Sequence, residues 1–520
     1  MLKKVSLLYY TLRHLKIKQI TYRLYYFARN KSKFQKDHYK LPLQQGELKA
    51  IRLSPPIDKP LSYTAPHTFR FLNLEKAFEG GIDWNYSQYG KLWTYNLNYF
   101  DFLNQSNMAR EEGLGLLHDY IASKAVLLDG KEAYATSLRL VNWLKFVYKH
   151  DVNDQKIQDF MLRDLQNLNA NLEYHLLTNH LLENAFALTI GGYSLNQEKI
   201  FEKGLGLLIE QLDEQICKDG AHYEKSPMYQ QILLDRLLDT LNFLSDYEHS
   251  WLSDKASKML SWLSNITFFD GSIPYVNDST PGIAPSTLQL SKYAGSLGVV
   301  AEKTKLGNSF YRKFSNGSYE MVADCGGVGP DYQPGHSHND AGSFVLHVKN
   351  KPFIVDTGTS TYKNNVRRAY ERSVKAHNTT HPINYEPSEL WGSFRIARRE
   401  FVEIVKESAD SIEFKRILPY GRQYSFTRTF RVDKDTISIC DRTKTKDECK
   451  AYLHFSSQID LTKTDYGISS SEVDIYLSNA SHFNVEACEI VNGFNQLQTS
   501  KKVVITFFEQ LNISIKINHV

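Results

Sequence analysis

Two textures of hydrophobic patterning divide the chain. From about residue 105 to 265, apolar residues recur at helical spacing, as in LRLVNWLKFVYKH, LEYHLLTNHLLENAFALTI, LGLLIEQLDEQI and MYQQILLDRLLDTLNFL. Such spacing predicts successive helices joined by short polar turns, an all-α layer. After about residue 305, short alternating runs take over, among them SYEMVADC, GSFVLHV, PFIVDTG, YSFTRTFRV and ISIKIN. Period-two alternation with β-branched and aromatic enrichment predicts an antiparallel β-sandwich. The texture changes between Pro281 and Leu306. A helical domain followed by an all-β domain leaves a cleft in which a polymer fits.

The first forty residues read as helical and amphipathic, and a proline-containing linker, LSPPIDKPLSYTAP, follows them. Next comes WNYSQYGKLWTYNLNYFDFL, where Trp93, Tyr95, Asn96, Tyr99 and Phe100 crowd together. Aromatic faces at this density stack on sugar rings or, more commonly, form core. The expected division is a basic helical segment and linker over 1–60, a helical domain over 61–300 and a β-sandwich over 301–520.

Composition changes this picture little. With 42% hydrophobic and 23% charged residues the chain of 520 reads as an ordinary globular protein, and a formal net charge of +4 argues against wholesale nucleic-acid binding. Residues 1–60 are the exception, holding 14 Lys/Arg against 3 Asp/Glu. Such an end suits an anionic polymer or a membrane surface, or is simply a solvated basic face. The five cysteines form no CxxC pair, so free thiols are expected. Arg13, Lys16, Lys18 and Arg23 interrupt every apolar run near the start, which predicts neither a signal peptide nor a membrane span. The default address is cytoplasmic or cell-associated, with the periplasm as the alternative.

Candidate chemistry centres on GHSHND, Gly335 to Asp340, which sets His336 and His338 beside a carboxylate and an amide. In an extended backbone residues i and i+2 share a face, so one imidazole suits a metal while the other handles a proton. His338, Asp356 and His377 make a plausible set for a divalent cation, zinc by donor type; the competing reading is a hydrogen-bonded network stitching two sheets. Tyr362, Tyr370, Arg372 and Asn378 lie close by in sequence, and an arginine there suits a carboxylate or sulfate. In the helical half, Asn179 and His180 fall at a predicted helix start, where Asn is commonly a cap. In DGAHYEKSPMY, Ser226 reads as N-cap with Pro227 first in the helix, so Tyr229 falls in the first turn. The helix dipole there is expected to lower the phenol pKa toward use as a base, although by propensity alone a tyrosine at such a position is more commonly a packing residue. No phosphate loop, dinucleotide fingerprint, HExxH helix or GxSxG elbow is present.

Together these segments resemble the heparinase II/III-like family of polysaccharide lyases, with alginate-lyase-like and heparinase-like members. The most specific part is GHSHNDAGSFVLHVKNKPFIVDTGTSTY followed by YERSVKAHNT; WTYNLNYFDFL, LRLVNWLKF, TNHLLEN and DGAHYEKSPMY agree with it. The resemblance implies an N-terminal (α/α) toroid, incomplete, followed by a C-terminal antiparallel β-sandwich. It implies β-elimination on an acidic, uronic-acid-containing polysaccharide or oligosaccharide. Asn179 and His180 would neutralise the uronate, Tyr229 would serve as acid and for one C5 epimer also as base, and His336 would be the base on the other ring face or help polarise the carboxylate. His338, Asp356 and His377 would hold a structural divalent metal, Zn2+ by type, with no organic cofactor. Tyr95, Glu224, Tyr362, Tyr370 and Arg372 would line the substrate path. The basic, tyrosine-rich start resembles members that accompany bacterial capsule or exopolysaccharide production. Two rival readings remain open: a non-eliminating carbohydrate-binding or assembly factor, and a metal-dependent glycan hydrolase on the same scaffold.

Overall fold

The computed structural model describes residues 2–32, 38–40, 44–248 and 250–518. Twelve α-helices occur among them: α1 (Leu2–Leu12), α2 (Ile17–Lys31), α3 (Lys91–Tyr99), α4 (Arg110–Ala122), α5 (Ala133–Lys149), α6 (Gln155–Ala170), α7 (Thr178–Ser194), α8 (Glu198–Gln215), α9 (Pro227–Phe243), α10 (Ser250–Ile266), α11 (Thr287–Ser296) and α12 (Val366–Arg372). Of the forty residues read as helical at the start, 1 and 33–37 lie outside the described residues.

From α4 to α10 the helices alternate between two layers. Nearly every residue of α5, α7 and α9 is buried, whereas α4, α6, α8 and α10 bury one face. A helix buried all round needs neighbours on every side, and one with a single apolar stripe faces water with the other. Inner and outer helices alternating along the chain make the (α/α) toroid. Close approach of α7 and α8 depends on glycine: a Cβ at Gly192 would meet the Phe201 nitrogen at 2.5 Å, and one at Gly204 the Thr189 nitrogen at 2.7 Å.

Trp93, Tyr99 and Phe100 of the aromatic run are buried, while Tyr95 and Asn96 stay partly exposed. Trp143 stacks on Phe160 at 5.1 Å, and Phe100 meets both Trp84 and Trp143. The linker reading needs correction at its end. Tyr63–Ala65, Thr68–Phe71 and Leu74–Ala77 form a small antiparallel sheet. Phe69 and Phe71, two residues apart, point into the aromatic core against Phe102 and Trp93. Strands of three and four residues are too short to show a period, so the prolines dominated the pattern.

The β half is a sandwich. Strands Tyr311–Ser315, Tyr319–Asp324, Phe344–Val348 and Lys351–Ile354 pair antiparallel in chain order. A ten-stranded sheet faces them, closed by the long hairpin Val473–Gly493 and Gln496–Ile517. Their shared core includes Met321, Phe344, Leu346, Phe414, Phe430, Ile505 and Ile515. In Ser411–Ile417 the alternate residues Ile412, Phe414 and Arg416 turn inward, as a one-sided strand should. The five cysteines are free thiols.

The two N-terminal helices brace both halves. On α2, Gln19 donates to the Leu176 carbonyl at 3.2 Å and Arg29 to that of Ala170 at 2.9 Å. On α1, Thr11 accepts from the Trp391 indole at 3.0 Å and Ser6 from Arg398 at 3.1 Å.

Candidate active site

Loop segments from both halves meet above the inner helices. Four backbone positions set their direction: Leu177, Thr178, Lys225 and Asn277 all have φ between 52° and 64°, and none is glycine. Side chains with a Cβ rarely adopt this region, and such positions cluster where a site fixes the chain. The first two precede Asn179, the third lies between Glu224 and Ser226, and the fourth precedes Asp278.

Asn179 is the second residue of α7, but it does not cap the helix. Its Nδ2 donates to Glu224 Oε2 at 2.9 Å and lies 3.1 Å from His336 Nε2. An amide nitrogen can only donate, so His336 Nε2 accepts and its proton sits on Nδ1, which donates to Asp278 Oδ2 at 2.8 Å. Both ring nitrogens of His336 are thereby engaged, Nε2 by Asn179 and Nδ1 by Asp278.

Ser226 caps α9 as the sequence suggests, its Oγ accepting from the Tyr229 nitrogen at 3.3 Å, with Pro227 first in the helix. The Tyr229 ring lies 4.1 Å from that of His336, and its hydroxyl is 3.4 Å from that of Tyr362. The expected lowering of the Tyr229 pKa is not what the surroundings produce. Burial raises it well above the ordinary phenol value, with Asp278 and Glu224 adding to the rise and Tyr362 opposing it. Desolvation of a phenolate outweighs one helix N-terminus, so Tyr229 is a protonated donor near neutral pH.

Asp278 joins the halves. Oδ2 accepts from His336 and from Arg368 Nη2 at 2.8 Å; Oδ1 accepts from His338 Nε2 at 2.9 Å and Arg368 Nη1 at 2.5 Å. Burial alone would raise its pKa, but Arg368 and the two imidazoles outweigh it and hold the carboxyl well below the usual range. Residues 335–340 form turns rather than a strand, yet the two histidines converge through this carboxylate.

His180 stands at the rim, its side chain 34% exposed, 3.0 Å from Glu173 Oε1 and with its ring 4.7 Å from that of Tyr134. Burial lowers its pKa, but Glu173 outweighs this and raises it, favouring the imidazolium. Tyr95 and Tyr134 pack around Tyr99, and the Tyr95 hydroxyl bonds Glu132. Arg368 lies 5.1 Å under Tyr362 and 5.4 Å from Phe394.

The structure thus gathers Asn179, Glu224, Tyr229, His336 and Tyr362, with His180 and Tyr95 on the helical rim. It does not bring in Tyr370, whose hydroxyl approaches the Lys375 carbonyl at 3.5 Å. Nor is Arg372 free for an anion: Nε and Nη2 donate to the Ser337 carbonyl at 3.3 and 3.1 Å, which braces GHSHND from behind. Asn378 donates to the carbonyls of Phe344 and Val355 and so stitches strands. Asp278 and Arg368 escaped the sequence reading; the only signal for the latter was the arginine one helical turn before Arg372.

Deeper in the β half, His377 Nδ1 lies 2.7 Å from Asp356 Oδ2, and the His338 and His377 rings are 5.3 Å apart. Among the described residues no three His, Cys, Asp or Glu side chains are gathered into a ready-made ion cage. Two buried nitrogens of this set, His338 Nδ1 and His377 Nε2, lack a protein partner, as does Nε2 of the adjacent buried His454. Buried polar atoms left over in this way suit an additional ligand, so the donor chemistry fits a cation.

Two family models match the chain, Heparinase II/III N-terminus over residues 135–305 and Heparinase II/III-like, C-terminal, over 300–518. No curated protein matches it by sequence. Among solved structures it is similar to a heparinase III, with 15% identity, a TM-score of 0.65 and coverage of 85% of this chain and 80% of that one. It is also similar to the heparan sulfate lyase HepC from Pedobacter heparinus, with 15% identity, a TM-score of 0.55 and coverage of 96% and 88%. At such identity these likenesses speak for the fold, a toroid followed by a sandwich. The two family models together run from α5 to the last strand, and the chain belongs to the heparinase II/III-like family.

Proposed function

We propose that this protein is a polysaccharide lyase that breaks a uronic-acid-containing polysaccharide by β-elimination. The observation that carries the reading is an imidazole 4.1 Å in ring separation from a protonated phenol and bonded through Nε2 to an amide. Elimination needs these three functions. The proton on C5 is weakly acidic until the adjacent carboxylate is neutralised, which Asn179 and the His180 imidazolium supply. Asn179, drawn to the uronate, releases His336 Nε2, which then takes that proton, and Asp278 stabilises the imidazolium formed. The C5 electron pair becomes the C4–C5 double bond as the bond from C4 to its oxygen breaks. Tyr229 gives its proton to the departing oxygen. Membership of the family and the likeness to a heparan sulfate lyase support the same reaction. The acidic polymer of a bacterial capsule or exopolysaccharide is the substrate class we favour, on the resemblance of the tyrosine-rich start to family members that accompany its production.

His338, Asp356 and His377 would hold a divalent cation, zinc by donor set, which would supply cross-linking of the β-half loops. Wild type and His338→Ala are to be compared by elemental analysis and thermal unfolding. One equivalent of metal in wild type only, with a lower melting temperature for the variant and for chelated wild type, is expected; equal metal content would remove the assignment.

The reaction is tested by ultraviolet absorbance of the unsaturated uronate over a panel of acidic polysaccharides, with Tyr229→Phe alongside. Wild type should give a rise on at least one polymer, and the variant should lose about 10²–10⁴-fold in kcat. Full activity in the variant would remove Tyr229 from its role. Chain shortening with no absorbance rise would point instead to hydrolysis.

A further inference from the structure

Helices α1 and α2 are amphipathic in the inverted sense. A surface helix ordinarily turns its apolar stripe to the core and its polar face to water. Here several polar residues turn toward the protein instead: Gln19 and Arg29 of α2 bond backbone carbonyls of the toroid, while Lys16 and Lys18 pair with Glu214 and Glu210. Ile17, Ile20, Leu24 and Phe27, spaced at three and four residues, lie on the opposite side; Ile17 is 82% exposed, Leu24 65% and Phe27 68%. On α1, Ser6 and Thr11 are engaged by Arg398 and Trp391, and Val5, Leu8, Tyr9 and Leu12 form a second exposed stripe.

Charge says what covers these stripes. Residues 2–32 contain eight Lys/Arg and no Asp or Glu, and Lys4, Arg13 and Lys31 are exposed. An anionic glycan would be met by cations alone and leaves the aliphatic stripes unexplained. A second copy of the same face would set two strongly basic surfaces against each other. An anionic phospholipid surface satisfies both features, taking the apolar side chains into its acyl boundary and the cations among its phosphates. Among the described residues no helix is long and apolar enough to cross a membrane. We propose that α1 and α2 dock this protein flat on an anionic membrane surface.

Flotation of the full chain with vesicles of phosphatidylcholine plus phosphatidylglycerol, against phosphatidylcholine alone, tests this. Wild type should float with the anionic vesicles, more weakly as salt rises. The double variant Leu24→Glu, Phe27→Glu should lose about tenfold or more of the bound fraction. Light scattering should show both proteins folded at one mass, and both should act equally on soluble substrate. No flotation of wild type would overturn the proposal. So would a higher mass that falls to the monomer in the double variant, which would make the face a self-association surface. Unimpaired flotation of the double variant would overturn it as well.

Discussion

Leu177, Thr178, Lys225 and Asn277 each hold a conformation costing on the order of 1–3 kcal/mol for a residue with a Cβ, and each lies beside a candidate-site residue. That cost is offset by burial of the surrounding helices. Glu183 shows a related cost. It lies one turn beyond Asn179 on α7, and burial raises its pKa to about 7 although Arg236 opposes the shift. Between about 4.5 and 7 the folded state therefore keeps a proton that the unfolded chain has released. By linkage, stability falls as pH rises through that window and stays lower above it. Glu183→Gln removes the titration and is expected to gain about 1–3 kcal/mol near pH 8 relative to its effect near pH 5. Thermal unfolding at the two pH values measures the difference; an unchanged gap between them would contradict the assignment. Asn179, Tyr229 and His336 were legible because each sits in a local motif. Asp278 was not, because its partners His336 and Arg368 lie 58 and 90 residues away, and such contacts leave no trace in spacing.

At the scale of elements, strong periodicity carried the reading. The inner and outer helices and the longer strands repeat their pattern over several turns or pleats, whereas the sheet at Tyr63–Ala77 is too short for either period to appear. Arginines buried in strands are equally invisible, since alternation marks a side chain as inward but not as paired. Arg428, on Ser425–Val432, bonds both oxygens of Asp441 at 2.7 Å and also donates to the carbonyls of Gly342 and Asn378 at 2.6 and 2.8 Å. It fastens the large sheet to the loop that follows GHSHND. Asp441→Ala would leave a buried guanidinium without its counter-charge, at an expected cost of about 3–5 kcal/mol. Urea unfolding followed by circular dichroism should show that loss as a lower midpoint with an unchanged slope.

For the whole molecule, fold class followed from the order of textures, helical and then alternating, while the way the halves dock did not. Docking depends on a few polar contacts between distant segments, Asp278 with His336, His338 and Arg368 foremost among them. The tip of the long hairpin adds others: Asn495 donates to the Leu72 carbonyl and Asn73 to that of Phe494, while within the β half Asn495 donates to the Ser360 carbonyl and Phe494 packs against Tyr362. This has a consequence in time. A ribosome releases the helical half first, and at that stage Asp278 has no imidazole to orient. The loop bearing Tyr362 gains its last supports only after Phe494 and Asn495 have been synthesised. The nascent helical half therefore carries Asn179, Tyr229 and Asp278 without His336, and the candidate site is completed only once the β half has been made.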